Sequence, residues 1–220
     1  MIKLEKVRYR YASSDTDILQ GVNADFDEGV FYTIVGPSGV GKTTLLSILA
    51  GLDRPSAGSV YLQGNDLSSM NLDLYRREKI AMVFQAYHLF PLLTALENTS
   101  YLLEAKGVSR REAEARATQL LSTVGIAGTK QERFPSNLSG GEQQRVAIAR
   151  ALSTGARVIL ADEPTGNLDT ANGEAIVSLL QNLAHHENYC VIVVTHNLDI
   201  AARSDVVLRM SDGYIVTHDI

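Results

Sequence analysis

The sequence reads Gly36-Pro37-Ser38-Gly39-Val40-Gly41-Lys42-Thr43, which fits the pattern G-x-x-x-x-G-K-[ST]. Residues 30–35 before it are typical of a strand, and residues 44–49 after it are predicted to be helical. The glycines let successive backbone N–H groups point at one anion, and the helix adds the positive end of its dipole. An ordinary glycine-rich turn is the alternative, but it would not require this strand–loop–helix context. The stretch therefore predicts a nucleotide-phosphate site, where Lys42 would reach the β- and γ-phosphates and Thr43 could ligate Mg²⁺.

A second feature is an apolar strand at residues 158–161 that ends in two carboxylates, Asp162 and Glu163. Mg²⁺ prefers hard oxygen ligands and keeps several waters, so Asp162 together with phosphates would be enough to hold it. Adjacent strand residues point in opposite directions, and Pro164 favours an extended backbone at Glu163. We therefore expect Glu163 to orient a water for attack on the γ-phosphate. Without the phosphate loop, a solvated acidic pair would be the better interpretation.

A third feature is the helix start at residues 138–145, which reads LSGGEQQR. Ser139 is a good N-cap, and Gly140 and Gly141 expose the first backbone N–H groups of the helix. Plain capping is the alternative, although two consecutive glycines weaken a first turn. The pattern predicts a second anion site, which need not serve the same nucleotide as the phosphate loop.

The rest of the chain predicts an α/β fold. Apolar strands at residues 158–161 and 190–194, with a helix at Thr170–His185 between them, indicate a parallel sheet covered on both faces. The middle of the chain is predicted to be helical, with Ser109 and Glu112 forming a capping box. A helical insert between two halves of one sheet is the simplest architecture. Two independent domains are the alternative, but no Pro/Gly/Ser-rich linker marks a boundary.

Composition narrows the class of function. The 220 residues include 25 acidic and 20 basic side chains, for a formal charge of −5, which disfavours nucleic acid as a partner. Cys190 is the single cysteine, so no internal disulfide can form. The N-terminus does not resemble a signal peptide, and the most apolar uncharged stretch, residues 80–96, is too polar to span a bilayer. We expect a soluble chain whose membrane role, if any, depends on a partner.

The octapeptide at residues 138–145 resembles the signature motif of ATP-binding-cassette (ABC) ATPases, and the family's other motifs occur in the family's order along the whole chain. Gln85 resembles the Q-loop glutamine, residues 167–169 the D-loop, and His196 the switch histidine. The resemblance implies an α/β P-loop NTPase fold with a RecA-like core, an N-terminal antiparallel β subdomain and a helical subdomain. It also implies one domain over residues 1–220, with the helical subdomain at about residues 86–155.

The resemblance assigns roles residue by residue. It implies a Mg²⁺-dependent ATPase with catalytic residues Glu163, His196, Lys42 and Gln85, and metal contacts from Thr43, Gln85 and Asp162. Tyr11 would stack on adenine, with Tyr9 as its lower-ranked rival, and Asp169 would connect two sites across an interface. The ATP-binding set is Tyr11, Gly36, Pro37, Ser38, Gly39, Val40, Gly41, Lys42, Thr43, Thr44, Ser139, Gly140, Gly141 and Asp169.

In this family, two subunits dimerise head to tail around two ATP molecules and drive an integral-membrane permease. Residues 83–85 (VFQ), 93–98 (LTALEN) and 161–169 (ADEPTGNLD) resemble the clade of lipoprotein release, macrolide efflux, antimicrobial-peptide resistance and bacterial cell division. The permease contact is predicted at residues 86–98, which are too apolar for an ordinary surface loop. This implies a homodimer at the cytoplasmic face of the cell membrane.

Three alternatives remain open from the sequence. One is a division-type complex that signals across the membrane and moves no substrate. Another is a cassette that acts on DNA or ribosomes, although the chain lacks long coiled coils and a second cassette. The last is a module that binds ATP without hydrolysing it, against which Glu163 and His196 argue.

Overall fold

The computed structural model describes residues 1–12 and 15–216. Its strands in chain order are β1 (Ile2–Tyr9), β2 (Leu19–Phe26), β3 (Phe31–Val35), β4 (Ala57–Leu62), β5 (Asn65–Asp66), β6 (Ile80–Phe84), β7 (Val158–Asp162), β8 (Cys190–Thr195), β9 (Val206–Ser211) and β10 (Tyr214–Val216). Its α-helices are α1 (Lys42–Leu49), α2 (Leu72–Glu78), α3 (Ala95–Ala105), α4 (Arg110–Thr123), α5 (Gly140–Leu152), α6 (Thr170–His185) and α7 (Leu198–Ala201).

The strands form two sheets. The first has four antiparallel strands in the order β2-β1-β4-β5, and confirms the predicted N-terminal antiparallel subdomain. The second has six strands in the order β10-β9-β3-β8-β7-β6. Strands β9, β3, β8, β7 and β6 run parallel, and only β10 is antiparallel to its neighbour. The predicted parallel sheet is therefore confirmed.

Both faces of the six-stranded sheet are covered, as its continuous apolar strands predict. On one face, Ile192 of β8 joins a core with α1 and the antiparallel sheet. On the other face, Val191 joins a core that includes Leu121 of α4 and Ile148 of α5. The middle helices thus share their core with the sheet strands.

The strand register places the functional segments at one edge of the sheet. Phe84 pairs with Asp162, Asp162 with Val194, and Thr195 with Val35. Strands β3, β6, β7 and β8 are parallel, so their carboxyl ends meet at the same edge of the sheet. Loops that leave this edge form a crevice. The residues immediately after the four strands are Gly36, Gln85, Glu163 and His196.

One predicted helix cap forms only in part. The Ser109 hydroxyl accepts from the Glu112 N–H at 3.4 Å and begins α4, as expected. The Glu112 carboxylate does not return to the Ser109 backbone, because it pairs with Arg116 one turn further along the exposed face. The predicted capping box at Ser109 is therefore wrong, although the helix start is right.

Among the described residues, no helix has the length and apolar character needed to cross a bilayer.

Candidate functional site

A cavity of about 390 Å³ lies at the carboxyl edge of the parallel sheet. It is lined both by the glycine-rich loop and by the two carboxylates at the end of β7, Asp162 and Glu163. These carboxylates lie 119 or more positions after the loop in the sequence. Its lining residues are Tyr11, Ile18, Ser38, Gly39, Gly41, Lys42, Thr43, Thr44, Asp162, Glu163 and Val194. The structure therefore unites two motifs that the sequence predicts to act on the same ligand.

The loop after β3 folds around the Lys42 side chain. Lys42 is 8% exposed, and its Nζ donates to the carbonyl oxygens of Gly36 at 2.7 Å and Pro37 at 2.9 Å. A Cβ built on Gly36 would lie 2.4 Å from the Met210 carbonyl oxygen, so the close approach of two backbones requires glycine here. Gly41 has φ of 105° and begins α1, which directs the first N–H groups of the helix into the loop. The geometry is that of an anion-binding nest with a fixed cation.

Pro37 and Val40 contribute less directly to this nest. Pro37 offers its carbonyl oxygen to Lys42, and the partly buried Val40 side chain packs against the first core. Both hold the shape of the loop, and neither lines the cavity.

Asp162 lies opposite Thr43. The Thr43 hydroxyl donates to Asp162 Oδ1 at 3.4 Å, a weak contact. Burial raises the pKa of Asp162 above its ordinary value; the Thr43 hydrogen bond opposes this, the charge of Glu163 adds to it, and the charge of Lys42 opposes it. The Thr43 hydroxyl and the Asp162 carboxylate thus lie together beside the glycine-rich loop. These hard oxygen ligands fit Mg²⁺.

Glu163 turns away from Asp162 towards β8. Its Oε2 accepts from the Thr195 hydroxyl at 2.8 Å. Its Oε1 accepts from the His196 backbone N–H at 3.1 Å and lies 2.7 Å from His196 Nδ1. The two adjacent carboxylates thus have different partners, as predicted, but strand alternation is not the cause, because β7 ends at Asp162.

The expectation of an extended backbone at Glu163 is wrong. Its φ is +46°, in the left-handed region, although Pro164 follows. The local preference is overridden because the Glu163 N–H donates to the Val194 carbonyl at 2.9 Å and its carbonyl accepts from the Gly166 N–H at 3.0 Å. Left-handed conformations at residues other than glycine are strained, and they concentrate at functional sites.

His196 and Gln85 lie outside the cavity lining. The His196 side chain is 72% exposed and is held by Glu163. Gln85 exchanges two hydrogen bonds of 3.0 Å with Asn167, through its amide Nε2 and its backbone carbonyl. A Cβ built on Gly166 would lie 2.7 Å from Gln85 Nε2, so the glutamine covers this glycine. The structure does not bring Gln85 to Thr43 and Asp162, and no sequence pattern indicates its pairing with Asn167.

The Ser139-Gly140-Gly141 segment lies apart from the cavity. Ser139 and Glu142 form a full capping box, with the Ser139 hydroxyl accepting from the Glu142 N–H at 3.3 Å and Glu142 Oε2 accepting from the Ser139 N–H at 2.9 Å. The spacing of serine and glutamate could have revealed this box in the sequence. None of Ser139, Gly140 and Gly141 lines the cavity, so the two predicted anion-binding elements lie apart within one chain.

Glu142 is further held by a salt bridge to Lys130 at 2.8 Å. The hydrogen bond from Lys130 and that from the Ser139 backbone lower the pKa of Glu142 to about 2. Neighbouring side chains crowd the two glycines: a Cβ on Gly140 would lie 2.9 Å from the Tyr87 hydroxyl, and one on Gly141 would lie 2.3 Å from Asn172 Oδ1.

Two further predicted site residues are Tyr11, at the cavity, and Asp169, at the start of α6. Tyr11 is 45% exposed on the cavity rim, its hydroxyl lies 3.0 Å from Thr44 Oγ1, and its ring meets Tyr9 edge-on at 5.0 Å. Asp169 caps α6 and accepts from the backbone and side-chain N–H groups of Asn172 at 3.0 and 2.6 Å, which lower its pKa.

Residues 86–98 form a strained and partly apolar surface. Tyr87 and His88 have φ of 57° and 49°, and Arg150 donates to their carbonyl oxygens at 3.0 and 2.5 Å. The Arg150 guanidinium also lies 5.8 Å from the centre of the Phe90 ring, and Leu92 is 85% exposed. Leu89, in contrast, packs against the second core, so part of this segment is structural.

Comparison with known proteins gives consistent results. The family model described as "ABC transporter" matches residues 19–166. An uncharacterized ABC transporter ATP-binding protein of Bacillus subtilis, YclH, is 43% identical over 97% of this chain and 94% of its own. The pyoverdine export ATP-binding/permease protein PvdT of Pseudomonas aeruginosa is 43% identical over 99% of this chain, which spans 33% of PvdT.

A solved structure of the same kind matches over the whole chain. It is a dimeric, post-hydrolysis state of the ATP-binding cassette MJ0796 bound to ADP and Pi, from a protein of Methanocaldococcus jannaschii. The TM-score is 0.88 and the identity 39%, over 100% of this chain and 98% of that one.

Proposed function

The chain belongs to the ABC transporter family of ATP-binding proteins, and from this we propose that it is the ATP-binding and hydrolysing subunit of a bacterial exporter. Two copies would dimerise around two ATP molecules and drive a membrane permease. The observation that carries the proposal is the cavity in which the glycine-rich loop, Lys42, Asp162 and Glu163 meet. This set of side chains is what phosphoryl transfer requires, since catalysis there consists mainly of positioning and charge stabilisation.

The polar residues of the cavity and its surroundings have the following proposed roles. The N–H groups of the loop and the Lys42 ammonium would bind the β- and γ-phosphates, and Tyr11 on the rim would contact the base. Thr43 and Asp162 would hold Mg²⁺, which, when bound, supplies charge neutralisation between the phosphates. Glu163, held by β8, would orient the attacking water, and His196 would contact the γ-phosphate. Gln85 would join the metal site only after releasing Asn167, and its metal role stays a prediction.

The dimer follows from the separation of the two anion-binding elements. A nucleotide in the cavity leaves the Ser139-Gly140-Gly141 helix start unused within the same chain. A second copy in head-to-tail orientation would place its own helix start over that nucleotide, and Asp169 would lie between the two sites. Because the γ-phosphate adds a contact that ADP lacks, ATP would favour the closed pair and hydrolysis would reopen it.

We place the permease contact at residues 86–98, where Phe90 and Leu92 are exposed. This contact would hold the chain at the cytoplasmic face of the membrane. Residues 1–220 would act as one cassette domain, with residues 86–155 as its helical subdomain. PvdT, named as a protein that joins the ATP-binding and permease parts, supports a permease partner. Names of exporters among the relatives favour transport over the division-type alternative.

Hydrolysis of ATP by the purified chain tests the proposal. Lys42→Ala removes the ammonium group that the loop encloses, so we expect ATPase activity to fall to background. Lys79→Ala, at an exposed lysine outside the cavity lining, is the matched control and should keep wild-type turnover. Near wild-type activity in Lys42→Ala would remove the basis for the site assignment.

A further inference from the structure

Thr195 is a fully buried polar residue that the roles above leave unused. It ends β8 after five apolar residues, and its side chain is 0% exposed. Its hydroxyl donates to Glu163 Oε2 at 2.8 Å and accepts from the Asn197 backbone N–H at 3.1 Å. A buried hydroxyl in an apolar strand is costly unless it is paired, and here one of its two partners is the site residue Glu163.

The direction of the Thr195 proton is fixed by these two partners. The Asn197 N–H can only donate, so the hydroxyl oxygen is the acceptor of that bond. An ionised carboxylate can only accept, so the hydroxyl hydrogen must point to Glu163 Oε2. The Thr195 hydroxyl therefore donates to Glu163 and accepts from Asn197, so both of its hydrogen-bonding functions are used.

Glu163 is bound to β8 through both its backbone and its side chain. Its backbone N–H bonds the Val194 carbonyl, and its side chain bonds Thr195, the next residue of the same strand. His196 holds the other carboxylate oxygen, but its side chain is largely exposed and so is free to move. Thr195 is the buried anchor of the carboxylate.

We propose that Thr195 is a positioning residue for ATP hydrolysis, whose hydroxyl holds the Glu163 carboxylate in the orientation that aligns the attacking water. The inference rests on the proposed function of Glu163. A glutamate side chain has three rotatable bonds, and a misplacement of about 1 Å at a reacting centre can cost about 100-fold in rate. The competing role for Thr195 is purely structural, as a turn residue that pairs with Asn197.

Thr195→Val tests the hydroxyl because valine keeps the shape of threonine and suits a buried strand. We expect kcat for ATP hydrolysis to fall about 10–100-fold, with KM for ATP changed less than about twofold. Thr195→Ser keeps the hydroxyl and should stay within about threefold of wild-type kcat. Urea denaturation checks that each variant is folded, and Thr195→Ala replaces the valine variant if that one does not fold.

A double variant separates positioning from structure. If Thr195 acts through Glu163, Thr195→Val should lower the rate no further once Glu163→Gln has removed the carboxylate. Wild-type kcat in Thr195→Val, an equal loss in the serine variant, or additive losses in the double variant would each overturn the inference. Wild-type turnover in Glu163→Gln alone would instead show that the proposed function of Glu163 is wrong.

Discussion

Replacing Glu142 by glutamine should destabilise the protein in a pH-dependent way. Glutamine keeps an oxygen that can accept from the Ser139 N–H, so the capping box can survive, but the charge that pairs with Lys130 is lost. The folded-state pKa of Glu142 is about 2 against an ordinary value of 4.5. Because the folded value is the lower one, its stabilisation is present above pH 4.5 and is lost as the pH falls towards 2.

The size of the effect follows from that difference in pKa. At about 1.4 kcal/mol per pKa unit, the difference corresponds to about 3.5 kcal/mol at pH 7 before screening. The Lys130 side chain is 44% exposed, and solvent screens such pairs strongly. We therefore expect Glu142→Gln to lower the free energy of unfolding by about 1–2 kcal/mol at pH 7.

Urea denaturation at several pH values measures this effect. The difference in the free energy of unfolding between wild type and Glu142→Gln should be constant between pH 7 and about 5.5. For a loss of about 1–2 kcal/mol at pH 7, this difference should shrink by about 60–80% by pH 3.5. Glu97→Gln is the matched control, because Glu97 forms the same capping box on α3, and no salt bridge of Glu97 occurs in the described part of the chain. At pH 7, Glu97→Gln should lower the free energy of unfolding by less than Glu142→Gln does.

Two results would refute the reasoning about Glu142. One is a difference in the free energy of unfolding between wild type and Glu142→Gln that does not change with pH. The other is a destabilisation by Glu142→Gln that is no larger than that by Glu97→Gln. Lys130→Met should reproduce most of the effect, and combining it with Glu142→Gln should add little.

Three further predictions concern the loop, the core and the dimer. Gly36→Ala should destabilise the protein by about 3 kcal/mol and abolish ATP binding, because its Cβ would meet the Met210 carbonyl. Gly39→Ala, where a Cβ meets open space at φ of 80°, should cost only about 1–2 kcal/mol, and equal losses by urea denaturation would contradict the backbone contact. Burial raises the pKa of Cys190 to about 12, so thiol reagents should label it at pH 8 only after unfolding, and rapid labelling of the native protein would disprove its burial. Turnover of the wild type should rise faster than linearly with protein at low concentration, whereas strict proportionality would indicate a preformed dimer or a monomeric enzyme.

The parts of the site that depend on short stretches of sequence were predictable. The loop, the strand before it and the helix after it are contiguous, and the parallel order of apolar strands brings Asp162 to the same sheet edge. The Thr170–His185 helix has the predicted bounds. These features follow from spacing and periodicity, which a single sequence contains.

The parts that depend on distant contacts were not predictable. Gln85 and Asn167 pair across 82 positions, and Lys130 reaches Glu142 from a separate turn. At Glu163 the local effect of Pro164 predicts extended backbone, but pairing with β8 imposes a positive φ. Tertiary hydrogen bonds outweigh local preference at these positions, and no residue pattern near them carries that information.

Sedimentation of the Glu163→Gln variant tests the central claim most directly. The variant keeps the phosphate loop and Lys42 but loses the carboxylate that would orient the attacking water, so ATP should bind and persist. With Mg²⁺ and ATP it should sediment as a dimer and barely hydrolyse the nucleotide, whereas with ADP it should remain a monomer. A monomer in the presence of ATP would contradict a site shared between two chains.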